Sequence, residues 1–597
     1  LHLAARCETG NMDRVRQLAR REEPCGRDEW GNDALEVQID VGCTRSRYLH
    51  FIIPPSGHVR TLLGFNNRQE HGPHPDFPLR IDLKSDAWEI EAEFPFEILG
   101  RTPSDGETWG LNIMRTNPDQ PQGFVQWAPT FGEALRPELF GDMIFGEVSV
   151  DRGAQIDAYA RFAAHRRDVF LETVAHVDED DALRELGCSD WNEWADRIAR
   201  REKPLPIRWE GIATGPEGIP DCDRDLVMGW AGELVEKISS WSQEPPDPAA
   251  LSIERCEALG DAYLLTGNVR YARAFETAIQ LHAGLVENVS ADITDPHARP
   301  YQVNPYHDSQ ITRTEMLAYT YLCMRRAGLS PAAHAAMMRT VLRGARFAAW
   351  NISGAYTYGN HQVYESGGLA GVAALFPEFK ESQHWADVAS RSIRLHLERE
   401  VYPDGGYAER CGYHCVALSY TMHAVATIRA NGIDVRFPEL MNPRTLGTLE
   451  KMHEWMLEIT GPDGRMPAFG DTGAGSHLRF FRRGATVFER DDLAWPLDRL
   501  APELLPPGIE PRRPEHESVS LASQFTVLRD GWEPDDFFMA IDHGPLGGQH
   551  SHIDTLGFVA HAHGWPLALD SGIGTSYEDP RYEDWFRKLR AHNVVAI

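Results

Sequence analysis

The stretch IERCEALGDAYLLTG (residues 253–267), followed directly by NVRYARAFETAIQLHAGLVENV (268–289), decides the fold of the central part of this chain. Apolar residues recur at helical spacing in both segments, and a Thr-Gly-Asn turn joins them. The stretch TRTEMLAYTYLCMRRAGLSPAAHAAMMRTVLRGARFAAWN (312–351) repeats this form. The sequence therefore predicts helical hairpins in series, and their irregular spacing favours a closed (α/α) toroid over an open solenoid.

Strand patterns lie on both sides of the helical region. In WEIEAEF (88–94) apolar and acidic residues alternate strictly, which indicates a strand with one wet face. Strand runs return after the proline-rich segment LAPELLPPGIEPRRPEHE (500–517), where His563 and Gly564 are placed to turn a hairpin. We predict a multidomain α+β fold: an N-terminal β-sandwich (1–150), a central (α/α) toroid (151–500), and a C-terminal antiparallel β-sandwich (515–597) that we expect to be incomplete.

Composition limits the classes of function. A net charge of −30 over 597 residues argues against a nucleic-acid binder, because phosphate contacts need a basic surface. The sequence has no apolar run near the roughly 20 residues that span a membrane. Nine cysteines without CxxC spacing indicate neither a zinc ribbon nor a disulfide framework. Because the chain starts at Leu1 without a leader and stops at Ile597 in a strand-like run, we expect a fragment or a processed product.

The N-terminal strand runs DALEVQID, YLHFIIPPSG and WEIEAEFPFEILG resemble family 9 carbohydrate-binding modules. Such modules hold sugars on aromatic side chains, so the resemblance makes Trp88, Trp109 and Trp127 candidates. The alternative is that these tryptophans fill the sandwich core. The phase of Trp88 with the buried face of its strand favours this alternative.

Two polar clusters lie in the helical region. In YGNHQVYESGG (358–368), Asn360 and His361 open a helix, and an amide and an imidazole at its positive end suit a carboxylate; Asn360 as a simple N-cap is the alternative. In PDGGYAERCGYH (403–414), the predicted helix carries Tyr413 beside Arg410 and His414. These neighbours would lower the pKa of Tyr413 toward the range that a general base needs. The alternative is an amphipathic core tyrosine.

The third cluster is HSHIDTLGF (550–558), in which His550, His552 and Asp554 occupy alternate positions. If the segment is extended, the three side chains share one face. Imidazole and carboxylate groups on one face suit a metal ion, proton transfer or a hydrogen-bonded surface strand.

Five motifs in order, NHQVYESGG, PDGGYAERCGYH, HSHIDTLGF, PLALDSGIG and FRKLRAHNVV, resemble the heparinase II/III-like polysaccharide lyases over about residues 200–597. The resemblance implies cleavage of uronic-acid polysaccharides by β-elimination. It implies Asn360 and His361 at the substrate carboxylate, Tyr413 as base, acid or both, and His550 sharing the proton transfer.

The resemblance also implies zinc bound through His552, Asp570 and His592, a ligand set that zinc accepts. A plain hairpin at 563–564 would place Asp570 far from His552. The segment before Asp554 must therefore fold back as a loop for this metal site to form.

The expected partner is an acidic polysaccharide, either an alginate-like polyuronate or a glycosaminoglycan, and the expected location is periplasmic or secreted. Elimination needs donors that neutralise the uronate carboxylate, a base and an acid. Further candidates for substrate binding are Glu365, Glu409, Arg410, Arg313, Arg587 and Arg590. The sequence leaves the oligomeric state open.

Two other functions compete with the lyase. An α/α-barrel glycosidase would hydrolyse similar chains with two carboxylic acids, for which Asp404 and Glu409 are available. That function leaves the histidine and tyrosine clusters without a role. A glycan-binding protein without turnover would keep the same modules.

Overall fold

The computed structural model describes residues 1–20, 33–44, 46–65, 68–72, 75–117, 124–128, 137, 140–146, 165, 168–209, 211–241, 255–287, 310–354, 359–473, 475–544 and 550–594. The chain forms two compact units, Leu1–Phe162 and Ala163–Ile597. The predicted domain boundary at residues 150 and 151 lies outside the described residues.

The described residues of the first unit form two antiparallel sheets and one short helix. Its elements are β1 (His2–Glu8), α1 (Met12–Leu18), β2 (Ala34–Asp40), β3 (Arg47–Ile53), β4 (Arg60–Phe65), β5 (Arg68–His71), β6 (Leu79–Leu83), β7 (Ala87–Glu93), β8 (Thr108–Thr116), β9 (Phe124–Gln126) and β10 (Gly141–Ile144). One sheet has the order β1-β7-β6, and the other has the order β10-β8-β2-β3-β4-β5 with β9 on β8. Val37 and Phe51 of the larger sheet share one apolar core with Ile90 of the smaller sheet.

Alternation in WEIEAEF predicts β7 correctly. Trp88, Ile90 and Ala92 are buried on one face, and the strand pairs on both sides with β1 and β6. Trp88 and Trp109 are both fully buried, so for these two tryptophans the core alternative is confirmed. Trp127 is 57% exposed. Strand β1 and helix α1 were not predicted from the sequence.

The second unit is mainly helical. Its helices are α2 (Glu179–Leu186), α3 (Trp191–Ala199), α4 (Arg224–Trp241), α5 (Glu257–Thr266), α6 (Arg270–Glu287), α7 (Gln310–Cys323), α8 (Pro331–Gly354), α9 (Asn360–Leu375), α10 (Ser382–Glu400), α11 (Arg410–Asn431), α12 (Pro443–Ile459), α13 (Leu478–Phe488) and α14 (Trp495–Leu500). Both predicted hairpins are confirmed, as α5–α6 and α7–α8. Gly267 ends α5 in the left-handed conformation (φ 65°), which an L side chain rarely adopts.

A five-stranded antiparallel sheet completes the second unit. Its strands follow the order β11 (Val519–Ser520), β12 (Phe525–Arg529), β13 (Phe538–Asp542), β14 (Gly557–Ala562) and β15 (Trp565–Ala568). His563 and Gly564 both have positive φ, so the predicted hairpin turn between β14 and β15 is confirmed. Phe525 and Val527 belong to the same apolar core as Trp455 of α12, which fixes the sheet against the helices.

The closed toroid and a second layer for the C-terminal sheet stay predictions.

Within the part of the chain that is described, none of the helices combines the length and apolar character that a membrane crossing requires.

Candidate functional site

The segment that carries the third cluster folds back as a loop before β14, as the metal hypothesis required. Leu556 has a positive φ, its N–H donates to Asp542 O (2.6 Å), and Gly557 N–H donates to Asp554 O (2.6 Å). The loop is therefore not an extended strand. Residues 545–549, just before this motif, lie outside the described residues.

Asp471 is the centre of the site. Its Oδ2 accepts a hydrogen bond from His550 Nδ1 (2.9 Å), and its Oδ1 accepts from His552 Nε2 (2.8 Å) and Tyr582 Oη (2.6 Å). Although burial favours the neutral acid, these hydrogen bonds hold the pKa of Asp471 well below its usual value. An anionic Asp471 requires a proton on each facing nitrogen. In the neutral imidazoles, His550 Nε2 and His552 Nδ1 are then the lone-pair nitrogens.

A close main-chain contact holds Asp471 against the histidine loop. Asp471 N–H donates to His550 O (2.9 Å). Gly470 has φ 59°, and a Cβ there would lie 2.5 Å from His550 O. Only glycine permits this approach, because any side chain would collide with the loop backbone.

Asn360 enters the site from the first residue of α9. The N-cap position is Gly359, without a side-chain cap, so the alternative that Asn360 caps the helix is wrong. Glu409 Oε2 instead accepts from both Asn360 N and Asn360 Nδ2, at 3.0 Å each. Asn360 Nδ2 also lies 3.5 Å from His550 Nε2. Glu409 therefore orients an amide toward the lone-pair nitrogen of His550.

Tyr413 lies on the first turn of α11, with its ring stacked on His550 (centroids 3.5 Å apart, planes at 13°) and its hydroxyl 2.6 Å from Tyr577 Oη. The prediction that its neighbours lower its pKa is wrong, because burial raises the pKa of Tyr413. Arg410 is buried and donates to Ser523 O (3.2 Å), and His414 Nε2 contacts Met452 O (3.1 Å). Both side chains are thus engaged away from the phenol, and burial lowers the pKa of His414 to about 3, so its imidazole is uncharged at neutral pH.

The remaining candidate residues have other contacts. His361 is exposed, and its Nδ1 pairs with Tyr364 Oη (2.7 Å). The other contacts are Glu365 with Asn351 Nδ2 (3.0 Å), Arg410 with Asp542 (3.4 Å), Arg587 with Ser551 O (3.1 Å), and Arg590 with Asp584 O (3.0 Å). Arg313 lies half-buried on α7. Contact between these residues and substrate stays a prediction.

Both carboxylates offered for a glycosidase are engaged in holding the fold. Asp404 Oδ2 accepts from Ser523 N and Oγ (2.8 Å each), while Glu409 accepts from Asn360. No described contact aims either acid at an open site beside the other, so the geometry offers nothing in favour of hydrolysis.

A candidate metal site lies beside Asp471. His552, Asp554 and His592 are buried, with ligand atoms within 4.8 Å of one another. His552 Nδ1 and His592 Nε2 are buried without a hydrogen-bond partner among the described residues. His592 Nδ1 donates to Asp570 Oδ2 (2.8 Å), and His552 Nε2 donates to Asp471. The arrangement fits a metal ion, since histidine ligands usually give their second N–H to a carboxylate. Asp570 therefore contacts His592 Nδ1, the nitrogen that points away from the candidate metal site. The group of possible ligands contains Asp554, whereas the sequence predicted Asp570.

Sequence reasoning missed Asp471, Tyr577 and Tyr582, and it did not name Asp554 as a ligand. A Gly-Asp pair in AFGDTG (468–473) was the available signal for Asp471. No sequence motif around Tyr577 or Tyr582 indicates a functional role. The two residues come close to Asp471 only because the chain folds back toward it after β15.

The fold and the sequence both match known proteins. A solved structure of heparinase III resembles the chain with a TM-score of 0.51 and 21% identity, covering 72% of this chain and 70% of that one. Residues 254–495 match the family Heparinase II/III N-terminus, and residues 512–597 match Heparinase II/III-like, C-terminal. These matches together cover more than half of the sequence, and the chain belongs to the heparinase II/III-like family.

Two curated relatives are described as heparin-sulfate lyases. The one from Bacteroides stercoris is 30% identical over 260 residues (41% of this chain, 37% of the relative), and the one from Pedobacter heparinus is 24% identical over 247 residues (40% and 36%). The matched part of the chain thus spans little more than a third of each relative's length.

Proposed function

We propose that this chain is a polysaccharide lyase that cleaves a glycosaminoglycan of the heparin or heparan sulfate class by β-elimination. The observation that carries the proposal is the convergence of Asn360, Tyr413 and His550 from three separate parts of the sequence. An amide, a phenol and an oriented imidazole are the groups that the reaction needs. The heparin-sulfate lyase relatives support the substrate class.

Asn360 neutralises the uronate. The proton on C5 becomes removable only when the neighbouring carboxylate is held by donors that also stabilise the enolate-like intermediate. Glu409 fixes the side-chain amide of Asn360, whose nitrogen lies 3.5 Å from His550 Nε2. A substrate carboxylate held there places its C5 proton near His550. His361, exposed on the same helical turn, is the second donor in this proposal.

His550 acts as the base and Tyr413 as the acid. Asp471 holds the proton on Nδ1, so Nε2 has the lone pair that takes the C5 proton. The C4–O bond then breaks, and Tyr413 gives its proton to the leaving glycosidic oxygen. Burial raises the pKa of Tyr413, which keeps the phenol protonated at neutral pH and suits it to the acid role. Solvent afterwards restores both protonation states.

Zinc is the cofactor in this proposal. The nitrogen and oxygen donors of His552, His592 and Asp554 suit zinc, and Asp570 and Asp471 orient the two imidazoles. Bound zinc would crosslink the loop before β14 to the segment around His592. Since Asp471 contacts both His550 and His552, the metal site also steadies the base.

The cellular location of the protein follows from its proposed substrate. A polymer of this kind is met outside the cytoplasmic membrane, so a periplasmic or secreted protein is part of the proposal.

The test is the ultraviolet absorbance of products from heparan sulfate, chondroitin sulfate, hyaluronan and alginate. Elimination leaves a conjugated double bond at the new non-reducing end, and hydrolysis does not. We expect absorbance to rise with heparan sulfate. Saturated ends from every substrate that is cleaved would overturn the lyase proposal.

A further inference from the structure

A cavity lies in the helical unit, at residues that the proposed reaction does not use. Its volume is about 230 Å³, and its walls include Trp209, Trp230, Arg208, Asp223, Glu257 and Arg479. A single water needs about 10–15 Å³ by the same measure. The cavity therefore has room for a group of a dozen or so atoms, which is the size of one sugar ring.

Two tryptophans give the cavity its aromatic surface. Trp209 is held in place by Tyr420 (ring centroids 5.0 Å apart) and His423 (4.5 Å). Trp230, on α4, carries the guanidinium group of Arg255 over its ring at 4.7 Å. Rigid indole faces stack well on the apolar faces of pyranose rings and cost little conformational entropy.

The charges of the cavity are balanced within its walls. Arg208 contacts both Asp261 (2.9 Å) and Asp223 (2.8 Å), and Arg479 grips Asp223 with two hydrogen bonds (3.0 and 2.7 Å). The lining contains three arginines and three carboxylic acids. The ion pairs of Arg208 and Arg479 with Asp223 and Asp261 leave these four groups little net charge to attract a sulfate, so hydroxyl groups are the better match.

Glu257 supplies an unused polar atom. Its Oε2 is buried and has no hydrogen-bond partner among the described residues. Leaving such an atom unsatisfied is unfavourable, and a ligand hydroxyl that reaches it would supply the missing hydrogen bond.

Side-chain contacts link one wall of the cavity to the helix that carries Asn360. Trp209 contacts Tyr420, Tyr420 contacts Tyr364 (5.6 Å between centroids), and Tyr364 Oη bonds to His361 Nδ1 (2.7 Å). A row of aromatic rings therefore leads from the cavity to the helix that carries Asn360.

We propose that this cavity is a distal subsite that binds one pyranose residue of the polysaccharide by stacking on Trp230 and by hydrogen bonding to Glu257. The inference rests on the proposed function and deepens it, because it makes affinity depend on substrate length. A short oligosaccharide fills only the reaction site, whereas a longer one also reaches the cavity.

The experiment is calorimetric binding of heparan sulfate tetrasaccharides and decasaccharides to the Tyr413→Phe protein, in which turnover is slowed. Trp230→Ala and Glu257→Ala are compared with Trp565→Ala, a control that removes a 73% exposed tryptophan of β15. We expect Kd for the decasaccharide to rise about tenfold in each cavity variant, with Kd for the tetrasaccharide unchanged. Because the pocket charges are paired, the fold-change should be the same at low and high salt.

Equal decasaccharide affinity in the cavity variants and the control would overturn the subsite, as would an equal loss for both lengths. Melting temperatures show whether each variant is folded. If one of the two cavity variants does not fold, the other still tests the subsite. If the unmodified chain forms no unsaturated ends but binds decasaccharides through the cavity, the proposed function fails and the subsite survives. If the unmodified chain forms unsaturated ends but its affinity does not depend on substrate length through the cavity, the proposed function survives and the subsite fails.

Discussion

Replacing Asp471 by Asn is the sharpest perturbation of the site, because the amide is nearly the same size but offers one oxygen and one NH₂ group. Each carboxylate oxygen now accepts from a histidine, at 2.9 and 2.8 Å. If the NH₂ group faces His550, Nδ1 must accept, and the proton moves to Nε2, where the base needs its lone pair. If the NH₂ group faces His552, then His552 Nε2 must accept a hydrogen bond. The proton of that ring moves to His552 Nδ1, where the metal needs a lone pair.

The magnitude follows from which histidine is affected. A catalytic histidine held in the wrong tautomer typically loses about 10⁴-fold in kcat. A metal-binding histidine that loses its carboxylate partner typically costs about 10–100-fold in metal affinity. We expect Asp471→Asn to lower kcat by about 10³–10⁴-fold or to lower zinc content at fixed free zinc, with a folded protein in both cases.

The assay measures product absorbance, zinc per chain and melting temperature on one preparation. Asp463→Asn is the matched control, because Asp463 pairs with His561 at 3.7 Å outside the site and should leave kcat within a few-fold. Full zinc together with near-normal kcat in Asp471→Asn would refute the reasoning.

Three further predictions test single residues. Tyr413→Phe should lower kcat by about 10²–10⁴-fold with little change in substrate affinity, and near-normal turnover would show that Tyr413 is only a packed aromatic. Elemental analysis of His552→Ala should find little zinc, and Asp554→Asn should lose more zinc than Asp570→Asn; the opposite order would restore Asp570 as the ligand. Burial raises the pKa of Glu257, with Asp261 adding to the rise and Arg208 and Arg255 opposing it. A raised folded-state pKa means that stability falls as the pH rises above the usual value near 4.3, so Glu257→Gln should match the wild-type Tm at pH 4 and exceed it by on the order of 1 °C at pH 7. An equal difference at both pH values would contradict this assignment.

Several parts of the structure were readable from local sequence. Helical periodicity with Gly267 at the turn is sufficient for the α5–α6 hairpin, because both signals act within a few residues. Strict alternation in the same way predicts β7 and the burial of Trp88. The side chains of Asn360, Tyr413, His550, His552 and His592 were also chosen from motifs, and the structure brings all five together around or beside Asp471.

The arrangement within the site depended on tertiary structure. The flanking sequence of Tyr413 predicted a lowered pKa, but the α11 helix turns Arg410 and His414 away, and burial dominates. Asp471 lies 79 residues from His550 in sequence, and their pairing follows from a main-chain contact that only Gly470 permits. A sequence determines which groups are present and which short elements they lie on. Protonation states, hydrogen-bond partners and ligand sets depend on contacts between distant segments, so they are decided only when the chain is packed.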